Sequence, residues 1–321
     1  MLLCALLAMA RPASSAQPAI TFAAPIERSG PEFERIVGVR ELRDGSVLVA
    51  DRGQPAVLHM RTLSSAPVPV GRAGSGPGEY RALGDLWPLG GDSSLLTDSY
   101  TGRWLLLEGA RVVRTFPESR SGNLVVRGAT DGASAAGEVV ARRRYSHRGG
   151  RAFLESNSDS LVVVRAHLRS DVVDSIAVVA GHGPDGYTRI PEAAGRPTYI
   201  LPMNPLGSAD QVLLHADGWL AVVRARPYRV EWRRPDGTWV VGPALPAGRM
   251  AIARTERLGD ARRWYDIVDR RGQLVATLTL ARGEVLVGSG ERWAYVSFTD
   301  EDGLQALRRY EWPTMLRGAA R

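Results

Sequence analysis

The densest set of groups suited to chemistry lies in Gly71-Arg72-Ala73-Gly74-Ser75-Gly76-Pro77-Gly78-Glu79-Tyr80, which offers a guanidinium, a carboxylate and a phenol on a glycine-rich frame. Consecutive backbone N–H groups in such a loop can cradle an anion. On that reading Arg72, Glu79 and Tyr80 meet a ligand if the loop opens on a central channel. The spacing does not fit a dinucleotide site, because the glycine after Gly74 and Gly76 falls at Gly78 and no helix pattern follows. The structural alternative carries more weight. Glycine costs backbone entropy and proline removes a donor, so this stretch is a shaped crossover in which Arg72 and Glu79 pair with neighbouring backbone or charge.

Asp51 and Asp98 are the other candidate binding residues. Each ends an apolar run and precedes a polar turn that contains glycine, where aspartate accepts backbone N–H bonds. Capping is the weightier role for both, with ligand contact second. The five histidines, His59, His147, His167, His182 and His215, show no zinc-like spacing, and Asp300-Glu301-Asp302-Gly303 lacks the rest of a calcium loop. No Gly-x-Ser-x-Gly elbow is present. No catalytic or metal-ligating residue is therefore assigned.

Composition narrows the chemistry further. All 41 basic residues are arginine, which excludes a Walker A phosphate loop and a lysine Schiff base. The formal charge is +7, and Arg142-Arg143-Arg144-Tyr145-Ser146-His147-Arg148 invites a nucleic-acid reading. Interspersed acids and the uniform preference for arginine favour a coding bias instead, so no nucleic-acid partner is expected. Residues 1–16 form an apolar stretch ending in small residues at Ser14 and Ala16, a secretory signal pattern without a basic start. Removing it takes away Cys4, the sole cysteine, and with it any disulfide or thiolate chemistry. The mature protein is expected in the periplasm or outside the cell, with no membrane span and as a monomer.

The elements that would position these residues are strands. From Ile36 onward short β-rich runs alternate with turn signals, beginning with Val37 to Leu42, the hairpin signal Asp44-Gly45, Val47 to Asp51, Ala56 to Met60 and Val68 to Val70. The pattern repeats from Leu86 to Phe116, with Asp98 in the place of Asp51. Later units start at Glu138, after a loop rich in glycine, alanine and serine over Ser119 to Ala136, and at Val212, and a closing series of strands runs from Trp264 through Leu274 to Leu278, Val285 to Val287 and Trp293 to Ser297, ending with Leu307 to Trp312. Four antiparallel strands in each unit make one propeller blade. The fold expected is all-β, a single propeller over residues 17–313 with a tail at 314–321, most simply with six blades. Ala247 to Arg263 lacks alternation and leaves room for one shortened blade. Thr21-Phe22-Ala23 is expected to close the ring beside Leu307 to Trp312, and most tryptophans to wedge between blades.

With these residues in view, the chain resembles the bacterial exported six-bladed β-propellers related to the NHL-repeat group. The likeness rests on the Gly71 to Tyr80 loop, on Asp44-Gly45 with Val49-Ala50-Asp51, and on Tyr265-Asp266-Ile267-Val268-Asp269 with Arg271-Gly272. It implies a fold more than an activity. Neighbouring propellers include calcium-dependent lactonases, lyases and plain binding modules. The leading expectation is a non-catalytic binding or scaffold module for a protein, peptide or carbohydrate ligand, with no cofactor. The alternative is a lactonase or lyase using calcium or another divalent ion in the channel.

Overall fold

The hairpin at Asp44-Gly45 sets the local pattern for the whole chain. Gly45 takes a φ of 84°, while the Asp44 carboxylate accepts the Ser46 N–H at 2.9 Å. The turn closes when Leu42 donates to the Ser46 carbonyl at 2.8 Å. Two apolar runs are thereby folded back on each other, as a positive-φ turn in register with strand twist requires.

The computed structural model describes residues 18–30, 32–116, 130–144, 160–181, 188–190, 198–200, 209–243, 262–269, 271–290 and 292–314. Its elements are strands arranged as six blades. Blade 1 runs Ile36–Glu41, Val47–Asp51, Ala56–Met60 and Val68–Val70 from inside to outside, and blade 2 runs Leu83–Pro88, Ser93–Asp98, Trp104–Glu108 and Arg111–Phe116. Blade 4 has the same antiparallel order from Gln211–Leu214 to Trp239–Val241, blade 5 contains Arg263–Val268 and Leu274–Leu280, and blade 6 contains Glu284–Ser289, Trp293–Thr299 and Gln305–Glu311. Blade 3 shows Glu138–Arg144, Ser160–His167 and Ser170–Ala180 as a sheet, and a bridge between Ala133 and Val139 lays residues 131–133 along its inner edge. That inner edge pairs in parallel with blade 4 through Gly132 and Leu214. At Gly132, with φ 127°, a Cβ would stand 2.3 Å from the Leu214 carbonyl oxygen, so only glycine permits the approach.

The core is divided among the blade interfaces. Leu48, Val57, Tyr80, Leu83, Leu96 and Leu105 fill the space between blades 1 and 2, while Phe33, Val47, Met60, Tyr295 and Leu307 join blade 6 to blade 1. Full burial of such a side chain contributes about 1.5–3 kcal/mol. Trp104 and Trp232 are wedged between blades, whereas Trp239 is 40% exposed on an outer strand. Among the described residues no helix is long and apolar enough to cross a membrane.

Ring closure differs from the sequence expectation. Ala19–Thr21 pairs in parallel with Leu274–Leu280 of blade 5, and it is Glu27–Arg28 that adds antiparallel to Gln305–Glu311 as the outer strand of blade 6. The reason lies in Phe22, whose ring stacks on Tyr310 at 4.8 Å and tilts against Trp312 at 5.3 Å, diverting the chain between the two blades. The same segment reaches blade 1, where Glu27 accepts the Leu63 N–H at 2.8 Å and Gly30 donates to the Leu63 carbonyl at 3.3 Å. Residues 1–16, 315–321, His147, His182 and the 247–261 part of the non-alternating stretch lie outside the described residues. Arg263 itself begins a strand, Arg263–Val268.

Candidate functional site

Asp51 and Asp98 organise matching turns at the same end of blades 1 and 2. Asp51 accepts the N–H groups of Glu34 and Arg35, 17 and 16 residues upstream, at 3.0 and 2.8 Å, and that of Gly53 at 3.0 Å. Asp98 accepts those of Arg81 and Ala82, again 17 and 16 residues upstream, at 3.0 and 3.3 Å, and those of Tyr100 and Thr101 at 3.0 and 3.2 Å. A backbone bond completes each turn, from Arg52 to the Arg35 carbonyl at 2.8 Å and from Ser99 to the Ala82 carbonyl at 2.9 Å. Both carboxylates are buried, and their lone pairs are spent on the chain.

Burial acts to raise the Asp98 pKa, yet hydrogen bonds from the Thr101 side chain and from the N–H groups of Arg81, Thr101 and Tyr100 together hold it below the ordinary value. A carboxyl depressed by folding adds stability that is complete above its unfolded pKa of about 3.9 and disappears as pH falls through the folded value. Urea midpoints of the protein should thus be level near neutrality and fall in the acid range. Asp98→Asn should flatten part of that acid limb while lowering the plateau, because an amide nitrogen faces backbone donors. An unchanged limb would refute the assignment.

The Gly71 to Tyr80 loop is fixed from within. Arg72–Ala73 pairs in parallel with Glu79–Tyr80, and the Glu79 carboxylate accepts the Gly76 N–H at 2.7 Å and the Arg72 guanidinium at 2.6 Å. These same contacts, led by the Gly76 N–H, keep the Glu79 carboxyl low. The chain's own carboxylate thus occupies the N–H group that an external anion would need. At Gly74, with φ 153°, a Cβ would lie 2.2 Å from Glu79 Oε2, so a side chain there would expel the glutamate. Arg103 clamps the loop by donating to the Ser75 carbonyl at 2.7 Å and the Glu79 carbonyl at 3.3 Å. Tyr80 is buried, its hydroxyl donating to the Val70 carbonyl and accepting the Val57 N–H, each at 3.0 Å.

These five residues position others. The loop delivers Arg81, whose N–H is held by Asp98, and the Asp98 turn raises Tyr100 to 69% exposure. The Arg81 guanidinium stands 5.3 Å from the centre of the Tyr100 ring. Beside them Arg52 donates to the carbonyls of Leu83 and Gly84 at 2.9 and 3.1 Å. Among the described residues neither Arg52 nor Arg81 forms an ion pair, whereas the neighbouring acid, Glu34, is held by Gln54 at 3.1 Å. Arg52, Arg81 and Tyr100 were not singled out from sequence; the available signal was their place one residue after, or within, the repeated aspartate turns.

Arg142, from the basic cluster, is structural. Its guanidinium is bidentate with Asp131 at 2.8 and 3.1 Å and crosses to the Asp210 carbonyl of blade 4 at 3.1 Å. Burial pushes the Asp131 carboxyl up against the pull of that guanidinium.

Architecture and loop geometry define an all-β, six-bladed propeller with an arginine- and tyrosine-bearing face. Solved structures similar to it are distant in sequence. A member of the DUF4221 family from Bacteroides vulgatus has a TM-score of 0.49 at 7% identity, over 90% of this chain and 97% of that one. A catalytically inactive virginiamycin B lyase from Staphylococcus aureus gives 0.42 at 9%, over 89% and 100%, and the calcium-binding protein regucalcin from Agrobacterium tumefaciens gives 0.37 at 10%, over 92% and 97%. No protein-family model and no curated protein matches the chain.

Proposed function

We propose that the protein is an exported binding propeller, related to the NHL-repeat group, that presents a rigid recognition face built on blades 1 and 2. The reading rests on one observation: Asp51 and Asp98 are consumed as backbone caps, and the turns they fix carry Arg52, Arg81 and Tyr100 on the outside. Loops fixed on a rigid scaffold are the usual carriers of recognition. Cations and an aromatic ring on such loops suit ligand capture rather than bond cleavage.

The test uses the mature chain from Gln17, screened against oligosaccharides and peptides with and without added calcium. Saturable binding, with the ligand recovered intact and the affinity reduced by Tyr100→Ala, is expected. Recovery of a cleaved or ring-opened ligand, together with one divalent ion retained per chain, would replace this reading with the lactonase or lyase. Fractionation of the native host should place the mature chain in the periplasm or the medium.

A further inference from the structure

We propose that the Arg52–Arg81–Tyr100 face binds an acidic sugar, a pyranose ring carrying a carboxylate. The inference rests on the binding reading above and names its ligand class. Three features select it.

First, Arg81 lies over the Tyr100 ring, which stays 69% exposed. A guanidinium stacked in this way polarises the ring and leaves ring surface open for the C–H groups of a sugar. Second, Arg81 makes no ion pair among the described residues, and Arg52 spends donors only on the Leu83 and Gly84 carbonyls. Guanidinium donors without a carboxylate partner form charge-assisted bonds to an incoming one, and do so in a paired geometry. Third, the frame is built in advance: the Arg81 and Tyr100 N–H groups share one buried carboxylate, Asp98, and the Arg52 N–H is bonded across to Arg35. Little ordering entropy is then left to oppose binding. Glu34, the exposed acid of the adjoining Asp51 turn, is bonded to Gln54. A ring bearing a single acid group meets both the stacking surface and the cations.

Titration calorimetry on the mature chain with oligogalacturonate tests this, with a neutral maltooligosaccharide and benzoate as comparison ligands. Oligogalacturonate should bind saturably and more tightly than either comparison. Arg81→Ala and Tyr100→Ala should each weaken it about tenfold, as loss of a charge-assisted bond or a stacking surface predicts. Arg111→Ala, the same charge change on the outer strand of blade 2, should leave it unaltered. Thermal melts check that each exposed-site variant remains folded. Equal binding of benzoate or of the neutral sugar would overturn the proposal, as would equal losses in the Arg111 variant or an affinity indifferent to Arg81 and Tyr100. Failure of oligogalacturonate to bind, with a different ligand from the general screen still dependent on Tyr100, would refute the acidic sugar alone and leave the binding reading standing.

Discussion

Tyr80→Ala should cost about 3–5 kcal/mol of unfolding free energy, the range for emptying a large aromatic from a packed core. The side chain is 1% exposed and lies in the cluster between blades 1 and 2, so the cavity opens at an interface and not at the surface. Tyr80→Phe separates the two parts of the loss. It keeps the ring but leaves the Val57 N–H and the Val70 carbonyl without the hydroxyl that joins them, at roughly 1–3 kcal/mol. Burial already raises the phenol pKa, so the hydroxyl stays protonated as a donor across the neutral range. Urea denaturation of the protein reads both changes. A loss under about 1 kcal/mol for the alanine variant would mean that the loop is not anchored through this ring.

The second large effect is expected at the N-terminal strap. Deleting residues 18–28 removes the parallel strand on blade 5, the outer strand of blade 6 and the glutamate bond to blade 1 at once. Ile20 and Phe22 pack against the cluster between blades 5 and 6, and losing them costs roughly 3–5 kcal/mol. In a chain of this size that lowers the melting temperature by roughly 5–8 °C. It also bares the edge of Gln305–Glu311, an invitation to strand pairing between molecules. Differential scanning calorimetry and light scattering should show an earlier and less reversible transition. A synthetic peptide spanning the strap should restore part of the loss, and a deletion that melts with the intact protein would refute this account of closure.

How far the sequence could be read depended on whether the signal was local. The Asp44-Gly45 hairpin and the repeated Asp51 and Asp98 turns are spelled by adjacent residues, so blades 1 and 2 were legible in detail. The inner edge of blade 3 was not, because Thr130-Asp131-Gly132-Ala133-Ser134 has no apolar alternation and earns its place through bridges to Val139 and Leu214. The strap was misplaced by a few residues for a related reason: Thr21-Phe22-Ala23 reads as strand, but the pull of Tyr310 and Trp312 on Phe22 is a contact between the two ends of the chain. The structural role of Arg142 was not legible in its basic run, because its partners, Asp131 and Asp210, lie 11 and 68 residues away. The stack of Arg81 on Tyr100 was hidden for the same reason, although both aspartate-held turns were in view.

The paired aspartate turns have a consequence for how such a protein can change. In blade 1 the residue matching Tyr100 is Gly53, where any Cβ would lie 2.2 Å from that of Glu34, so this copy displays an acid folded over a bare turn. Its twin displays a base lying on an aromatic. One hydrogen-bonded cassette thus carries opposite cargoes, and because neither cargo helps close the ring, selection is free to rewrite specificity blade by blade without renegotiating the architecture.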